Sequence, residues 1–424
     1  MNNADATLLS QFVNYGQKRF ALGLWLSGVA DGRPRPEIPA QPVVLSLLLG
    51  EVAHLPSFLQ LQEETKLPQW QQWAGYKKPI SHDTFGHVSE RLDPEQLRRA
   101  ARHINRRLKR GKAFEANKIN GLLCVSLDAH EQFCSDHRCC EQCLTREVAC
   151  KDAAGQEFKK TQYYHKQVYA QLSGPELSAI LDFEPMRQGE EECAAALRLL
   201  RRLRDQYGPR FFDVVVVDSW YAKGPFLKTV VEELGWPVIA VLKQERYEIH
   251  QEARALSQGQ KPARVVRRDG RQVEIWDAPS LRLSDTYDAP VRVVRARERW
   301  TQRQQQGQEW VQVQKEQNWL WIVAGDLDGY DGAVIRDIGH SRWKIENHAF
   351  GQLTQHWHLT HCSRHHPVAV VALLWIKILA FTLFQAFAIL HGKLFRLGKA
   401  TFLELRKRIY RSLFCGCPLR IFSG

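Results

Sequence analysis

The sequence lacks a secretory leader pattern: residues 1–17 show no basic start followed by an apolar core, so export is not expected. It has no internal repeat. Its one compositional bias is a Gln-rich tract from Gln302 to Gln308, interrupted by Arg303 and Gly307. Acidic charge is in deficit. Lys and Arg number 59 against 46 Asp and Glu, giving +13 and a pI near 9.3. That balance favours a polyanionic partner, nucleic acid first, with a merely solvated basic surface as the alternative. Long apolar runs are nearly absent too. The exception, residues 368–390, has only Lys377 and Gln385 as strongly polar members and is long enough to cross a bilayer. A lysine near its middle would be costly in lipid, so a buried core helix and no membrane partner are expected.

What is present is the composition of a folded protein. With 424 residues, 44% hydrophobic and 25% charged, the chain has room for two or three domains and a large core. Its ten cysteines cluster instead of forming the framework of a small secreted chain, which fits a reducing, intracellular setting.

Residues 1–118 read as mostly helical, with a helix start at Ser81-His82-Asp83 and a basic run from Arg98 to Arg110, as in a small DNA-binding or assembly domain. From 119 strands and helices alternate, the pattern of an α/β core. Between 243 and 335 short strand candidates recur at 263–267, 272–276, 291–295, 310–314 and 319–324, the mark of a β-rich insertion. Helix returns near Ile335, and residues 391–424 form a short basic C-terminal region.

Three acids stand out against this plan. Asp128 follows the apolar run 121–127, and Asp218 follows four valines, 214–217, so both are expected at strand ends with their carboxylates projecting into a cleft. Glu346 lies in Arg342-Trp343-Lys344-Ile345-Glu346-Asn347, at the start of a helical pattern. Three carboxylates on separate elements suit a paired Mg²⁺ site for phosphoryl chemistry, since they supply hard oxygen ligands and leave room for phosphate and water.

Their order and the words around them carry a resemblance. Ser126-Leu127-Asp128-Ala129-His130-Glu131, Cys140-Glu141-Gln142-Cys143, Tyr163-Tyr164-His165, Val217-Asp218-Ser219-Trp220-Tyr221 and Arg342-Trp343-Lys344-Ile345-Glu346-Asn347-His348 resemble DDE transposases of the insertion-sequence type, over roughly residues 119–390. The resemblance implies a ribonuclease H-like catalytic domain with a β-rich insertion. It implies Asp128, Asp218 and Glu346 as ligands of two Mg²⁺ ions, with Mn²⁺ able to substitute. It also implies nicking at the terminal inverted repeats and transfer of the freed 3′ hydroxyl into target DNA by a homodimer, in an intracellular, nucleoid-associated setting. Arg342, one helical turn before Glu346, is expected to grip a phosphate, or alternatively to pair with Glu346. Trp319 stands close to where related enzymes stack a tryptophan on a flipped base; a core role and Trp321 are the alternatives.

Two positions depart from the family's Tyr-x-x-Arg-x-x-x-Glu-x-x-x-x-x-x-Lys pattern: Gly339 replaces the tyrosine and Leu353 the lysine. His340 or Lys344 is the expected substitute for the lost phosphate contact. These departures keep two rivals open, an inactive or domesticated relative that binds DNA ends and a stand-alone Mg-dependent nuclease that cuts without joining. Finally, Cys134, His137, Cys139, Cys140 and Cys143 fall close together. Cys140-x-x-Cys143 is a half-site for structural zinc, completed by Cys134 or His137 if the loop folds back, or by remote Cys193, His165 or Cys362. Packed thiols are the alternative.

Overall fold

A computed structural model describes residues 7–55, 57–137, 140–172, 177–245, 247–307, 309–391 and 401–415. The chain begins in helices: α1 (Leu8–Phe20), α2 (Leu22–Ser27), α3 (Ala40–Ala53), α4 (Phe58–Thr65), α5 (Pro68–Ala74), α6 (His82–Ser89) and α7 (Pro94–Arg110). The expected start at Ser81 is where α6 begins, the serine hydroxyl accepting from Thr84 N. In α7, Asp93 caps by accepting from Glu95 N, Pro94 opens the first turn, and Arg107, Lys109 and Arg110 face the negative end of the helix dipole.

The basic run on α7 divides in two. Arg98 is buried and pairs with Asp182 at 3.1 Å, while Arg106 donates to Gln206 O and Lys109 to Arg210 O at 2.8 Å. Arg98 thus fastens α7 to the sheet, and Arg106 and Lys109 fasten it to residues 206–210. Arg99, Arg107 and Arg110 remain exposed.

The fold is mixed α/β around one large sheet. Its strands are β1 (Cys124–Ser135), β2 (Leu144–Lys151), β3 (Glu157–Leu172), β4 (Ala179–Pro185), β5 (Val214–Val217), β6 (Val238–Val241), β7 (Arg264–Arg268), β8 (Arg271–Leu281), β9 (Val291–Gln306) and β10 (Glu309–Ala324). They run in the order β2-β3-β1-β5-β6-β10-β9-β8-β7, with β4 also on β3. β1 is antiparallel to β3 and parallel to β5, and β5 is parallel to β6. Central strands β5 and β6, which follow α8 (Glu192–Tyr207) and α9 (Gly224–Lys228) in the chain, are continuous apolar runs because both faces are buried: Val214, Val216, Ile239 and Val241 pack in one core cluster with Ile335 and Ile338, and Val215, Val217, Val238 and Ala240 pack in the other.

The β-rich stretch differs from its expected outline in three ways. A helix, α10 (Glu248–Ser257), opens it; the candidates at 310–314 and 319–324 are one strand, β10; and β10 pairs with β6, so the stretch extends the central sheet. The exposed half of β10 alternates polar residues outward, which broke its apolar pattern in the sequence although the ladder to β9 is continuous.

After β10 come α11 (Gly332–Ser341), a π-helical turn (Ile345–Phe350), α12 (Gly351–Trp357), α13 (Pro367–His391) and α14 (Phe402–Ser412). α13 contains the one described helix long and apolar enough to span a membrane, mean hydropathy 2.3, yet 78% of that window is buried inside the protein. Leu374, Trp375, Leu379, Phe381 and Phe384 are each exposed by 1% or less, and burial of such side chains stabilises by about 1.5–3 kcal/mol apiece. Lys377 Nζ donates to Glu51 Oε1 of α3 at 2.9 Å, to Trp357 O at 2.6 Å and to His358 O at 3.2 Å. Arg406 of α14 donates to Val52 O at 3.1 Å, so the N-terminal helices share one apolar core with α13 and α14. Residues 392–400 and 416–424 of the expected C-terminal region, and Cys139, lie outside the described residues.

Candidate active site

Asp128 does not end its strand. β1 runs on to Ser135, but its burial changes at this residue, from four buried positions to a half-buried stretch. The parallel ladder with β5 is recorded from Cys124↔Val214 to Ser126↔Val216. Continuing that register two residues sets Asp128 beside Asp218, which follows the last residue of β5. There Asp218 caps a short 3₁₀ turn, Oδ1 accepting from Trp220 N at 2.8 Å, so the backbone fixes its carboxylate. Asp128 Oδ1 is held likewise by Ala129 N at 2.9 Å.

Glu346 arrives from the other end of the chain. α11 packs on the sheet, and Glu346 lies in the π turn that follows it, its side chain 40% exposed. Arg342, only 3% exposed, ties the two ends together: Nη1 is 3.1 Å from Asp128 Oδ2 and 2.7 Å from Glu346 Oε1. Its Nε is buried and has no hydrogen-bond partner among the described residues. Of the two roles expected for Arg342, ion pairing is the one this geometry displays.

The electrostatics follow from this crowding. The Asp128 carboxyl is pushed up to about 7, first by burial, with Glu346 and Asp218 adding repulsion and Arg342 opposing both. The neighbouring Tyr221 hydroxyl is pushed well above its ordinary range by burial and by Glu192, to which it donates at 2.6 Å, with Asp128 and Asp218 contributing. Tyr221 went unremarked as a site residue in the sequence, although it lies three residues after Asp218 in a quoted motif. A cluster that discourages its own ionisation, made only of oxygen ligands, fits divalent cations that would restore the missing positive charge.

His340 is engaged elsewhere: Nε2 is 2.8 Å from Glu298 Oε1, and Glu298, fully buried, is also bonded by Arg336 Nε at 2.8 Å and Arg271 Nη1 at 2.7 Å. Nothing in the sequence marked Glu298, because its partners come from β8 and α11. Lys344 is half-buried, and burial lowers its pKa. Trp319 and Trp321 share a face, as alternation requires, with rings 5.9 Å apart and 13° from parallel. Trp321 is buried, whereas half-buried Trp319 lines an open cavity of about 460 Å³ with Trp343, Lys243, Arg254 and Arg295. The Arg342 guanidinium lies 5.7 Å from the centre of the Trp343 ring, which joins this cavity to the acid cluster.

The cysteine-rich loop gathers one of the remote candidates, His165, and a residue the sequence did not mark, His365. Cys140 and Cys143 converge with His165 and His365, not with Cys134 or His137, and Cys134 is exposed. A bulge in β1 between Glu131 and Phe133 separates this cluster from Asp128.

The family described as Transposase DDE domain matches residues 148–383, a span that includes Asp218 and Glu346 and starts 20 residues after Asp128 (148 − 128). No curated protein matches the chain. Among solved structures, the chain is similar to one described as a piggyBac transposase synaptic complex with hairpin DNA. That similarity has 11% identity and a TM-score of 0.45, and covers 96% of this chain and 79% of that one.

Proposed function

The chain belongs to the DDE transposase family and is a DNA transposase, an enzyme of DNA cleavage and strand transfer, and on that premise we propose that Asp128, Asp218 and Glu346 form its catalytic centre. The observation that carries the assignment is Arg342 Nη1, bonded at once to Asp128 and Glu346 while Asp128 feels Asp218 through space. Three acids from β1, the end of β5 and the turn after α11 thus meet at one point.

We read the core as ribonuclease H-like. The order β4-β3-β1-β5-β6, antiparallel up to β1 and parallel from there, supports that reading, as does an acid on each of two adjacent parallel strands. Residues 119–390 would then be the catalytic domain, 243–335 its insertion, 1–118 a helical DNA-binding or assembly domain and 391–424 a C-terminal appendage. The three carboxylates would hold two Mg²⁺, replaceable by Mn²⁺. When bound these ions would supply Lewis-acid charge at the scissile phosphate and an acidified water.

The chain's own residues do the positioning. Backbone N–H groups of Ala129 and Trp220 fix the two aspartates. Arg342 holds Glu346 against Asp128, and release of either carboxylate would free its guanidinium for phosphate. Trp319, which lines an open cavity with Lys243, Arg254 and Arg295, would stack on an unpaired base while these cations contact the phosphate backbone. Of the two residues expected to supply the lost phosphate contact, Lys344 would do so, because His340 is bonded to Glu298. The protein would work inside the cell, at the nucleoid, as a homodimer on terminal inverted repeats and target DNA, its affinity falling steeply with salt. A structural Zn²⁺ at the cysteine-rich loop completes the reading.

The test is incubation with the element's flanking terminal repeats and Mg²⁺, native chain against Glu346→Gln. Nicking followed by joining of the 3′ end by the native chain alone is expected. Cutting without joining would leave a nuclease, and equal activity of the variant would remove Glu346 from the site.

A further inference from the structure

We propose that Cys140, Cys143, His165 and His365 form a tetrahedral zinc site that clamps the strand pair bearing Asp128 to the segment following Glu346. The assignment rests on the zinc part of the proposed function, and it replaces two of the four ligands expected there.

The geometry is that of a ligand shell. Cys143 Sγ lies 3.6 Å from Cys140 Sγ, 3.4 Å from His165 Nε2 and 3.1 Å from His365 Nε2, and Cys140 Sγ lies 3.4 Å from His165 Nε2. All four ligand atoms fall within 4.8 Å of one another. Tetrahedral Zn²⁺ with ordinary Zn–S and Zn–N lengths requires separations of about 3.8 Å between sulfurs, about 3.6 Å between sulfur and nitrogen and about 3.3 Å between nitrogens. The sulfurs are also too far apart for a disulfide, whose bond is about 2.05 Å.

The surroundings suit metal ligation. Cys140 N–H donates to Cys143 Sγ at 3.3 Å, and Cys143 N–H donates to Cys140 O at 3.0 Å, a tight turn that aims both sulfurs inward. Such N–H···S bonds stabilise a negatively charged sulfur. Phe133 packs against both imidazoles, its ring 5.3 Å from His165 and 5.1 Å from His365, shielding one side from water. Cys143 and His165 are each 6% exposed.

The placement suggests what the ion does. His165 stands on β3 opposite Phe133 of β1, in the strand that carries Asp128. His365 lies 222 residues beyond Cys143, in the link between α12 and α13. One ion therefore joins the far end of β1 to the chain that leaves the Glu346 turn. Zinc would act by positioning the site.

The test uses the full chain and reads metal content and spectra, so it fails separately from any DNA assay. Purified protein should hold one zinc per chain by plasma mass spectrometry. Replacement by Co²⁺ should give the intense visible bands of a tetrahedral site together with near-ultraviolet thiolate-to-cobalt charge transfer. His365→Ala and Cys143→Ser should lose or alter these bands, whereas Cys134→Ser and His137→Ala should keep them. The native-chain spectrum stands even if a ligand variant fails to fold. A native chain that takes up neither ion, an octahedral cobalt spectrum without charge transfer, or unchanged bands in His365→Ala would each overturn the assignment.

Discussion

The indole of Trp321 fills the space that a side chain at Gly339 would need. A Cβ added to Gly339 would lie 2.3 Å from Trp321 Nε1 and 2.6 Å from Cδ1, so the bare backbone of α11 rests against the indole of β10. The glycine that stands where relatives have a tyrosine is thus one half of a pair. Leu353 has a comparable explanation. The π turn at 345–350 adds residues per turn, so the seventh position after Glu346 rotates away from the glutamate's face, and Leu353 is fully buried. A lysine there would meet core, not phosphate.

Restoring the tyrosine should therefore damage the protein. Gly339→Tyr is expected to cost at least about 1–3 kcal/mol, the range for overpacking a filled core, with Tm falling accordingly. Gly339→Tyr combined with Trp321→Ala should recover most of the loss because the ring then has room. Thermal melts of the two variants check this; equal destabilisation in both would mean that the indole is not the obstacle.

Asp128 makes metal binding pH-dependent. Its carboxyl is raised from 3.8 to about 7, so without metal its contribution to stability is full below the unfolded value and is lost as pH rises through about 7. Divalent ions bind the charged form. The rise in Tm on adding Mg²⁺ should consequently grow between about pH 6 and pH 8, with proton release on binding at the lower end. In Glu346→Gln one repulsive charge disappears and the Asp128 pKa should fall, which carboxylate NMR titration can follow.

Glu298 should act in the opposite direction and in a lower window. Burial alone would raise its pKa, but hydrogen bonds from His340, Arg336 and Arg271 outweigh burial and hold it at about 2, against 4.5 when unperturbed. The stabilisation, on the order of 3 kcal/mol, is present above the unfolded value and is lost as pH falls through about 2. Denaturant midpoints measured from about pH 6 down to pH 2 should flatten over the acid range in Glu298→Gln, which is already less stable at neutral pH.

Local words made much of this legible. Four valines before Asp218 announce a buried parallel strand, and Arg342 four residues before Glu346 announces a shared helical face; the structure contains both. What stayed hidden depends on partners remote in sequence. His365 reaches Cys143 across 222 residues, and Glu298 gathers cations from β8 and α11. Continuation of β1 past Asp128 was hidden for another reason: its partner β3 is what extends it, while the apolar run that signals a strand stops where burial stops.

Lys377 offers the sharpest test of α13 as a core helix. In lipid its ammonium would be a liability, and replacing it with leucine would improve insertion. Here it bonds to Glu51 and to two carbonyls at the end of α12, so Glu51→Ala should leave a buried ammonium short of its counter-charge and cost about 3–5 kcal/mol. Replacing both members, Lys377→Met with Glu51→Leu, removes the two charges together and should be far less harmful than Glu51→Ala alone. The carbonyls of Trp357 and His358 would still lose their donor, leaving a residual cost. Denaturant melts in detergent-free buffer measure all three chains, and a double variant as unstable as Glu51→Ala would show that the salt bridge is not what Lys377 contributes.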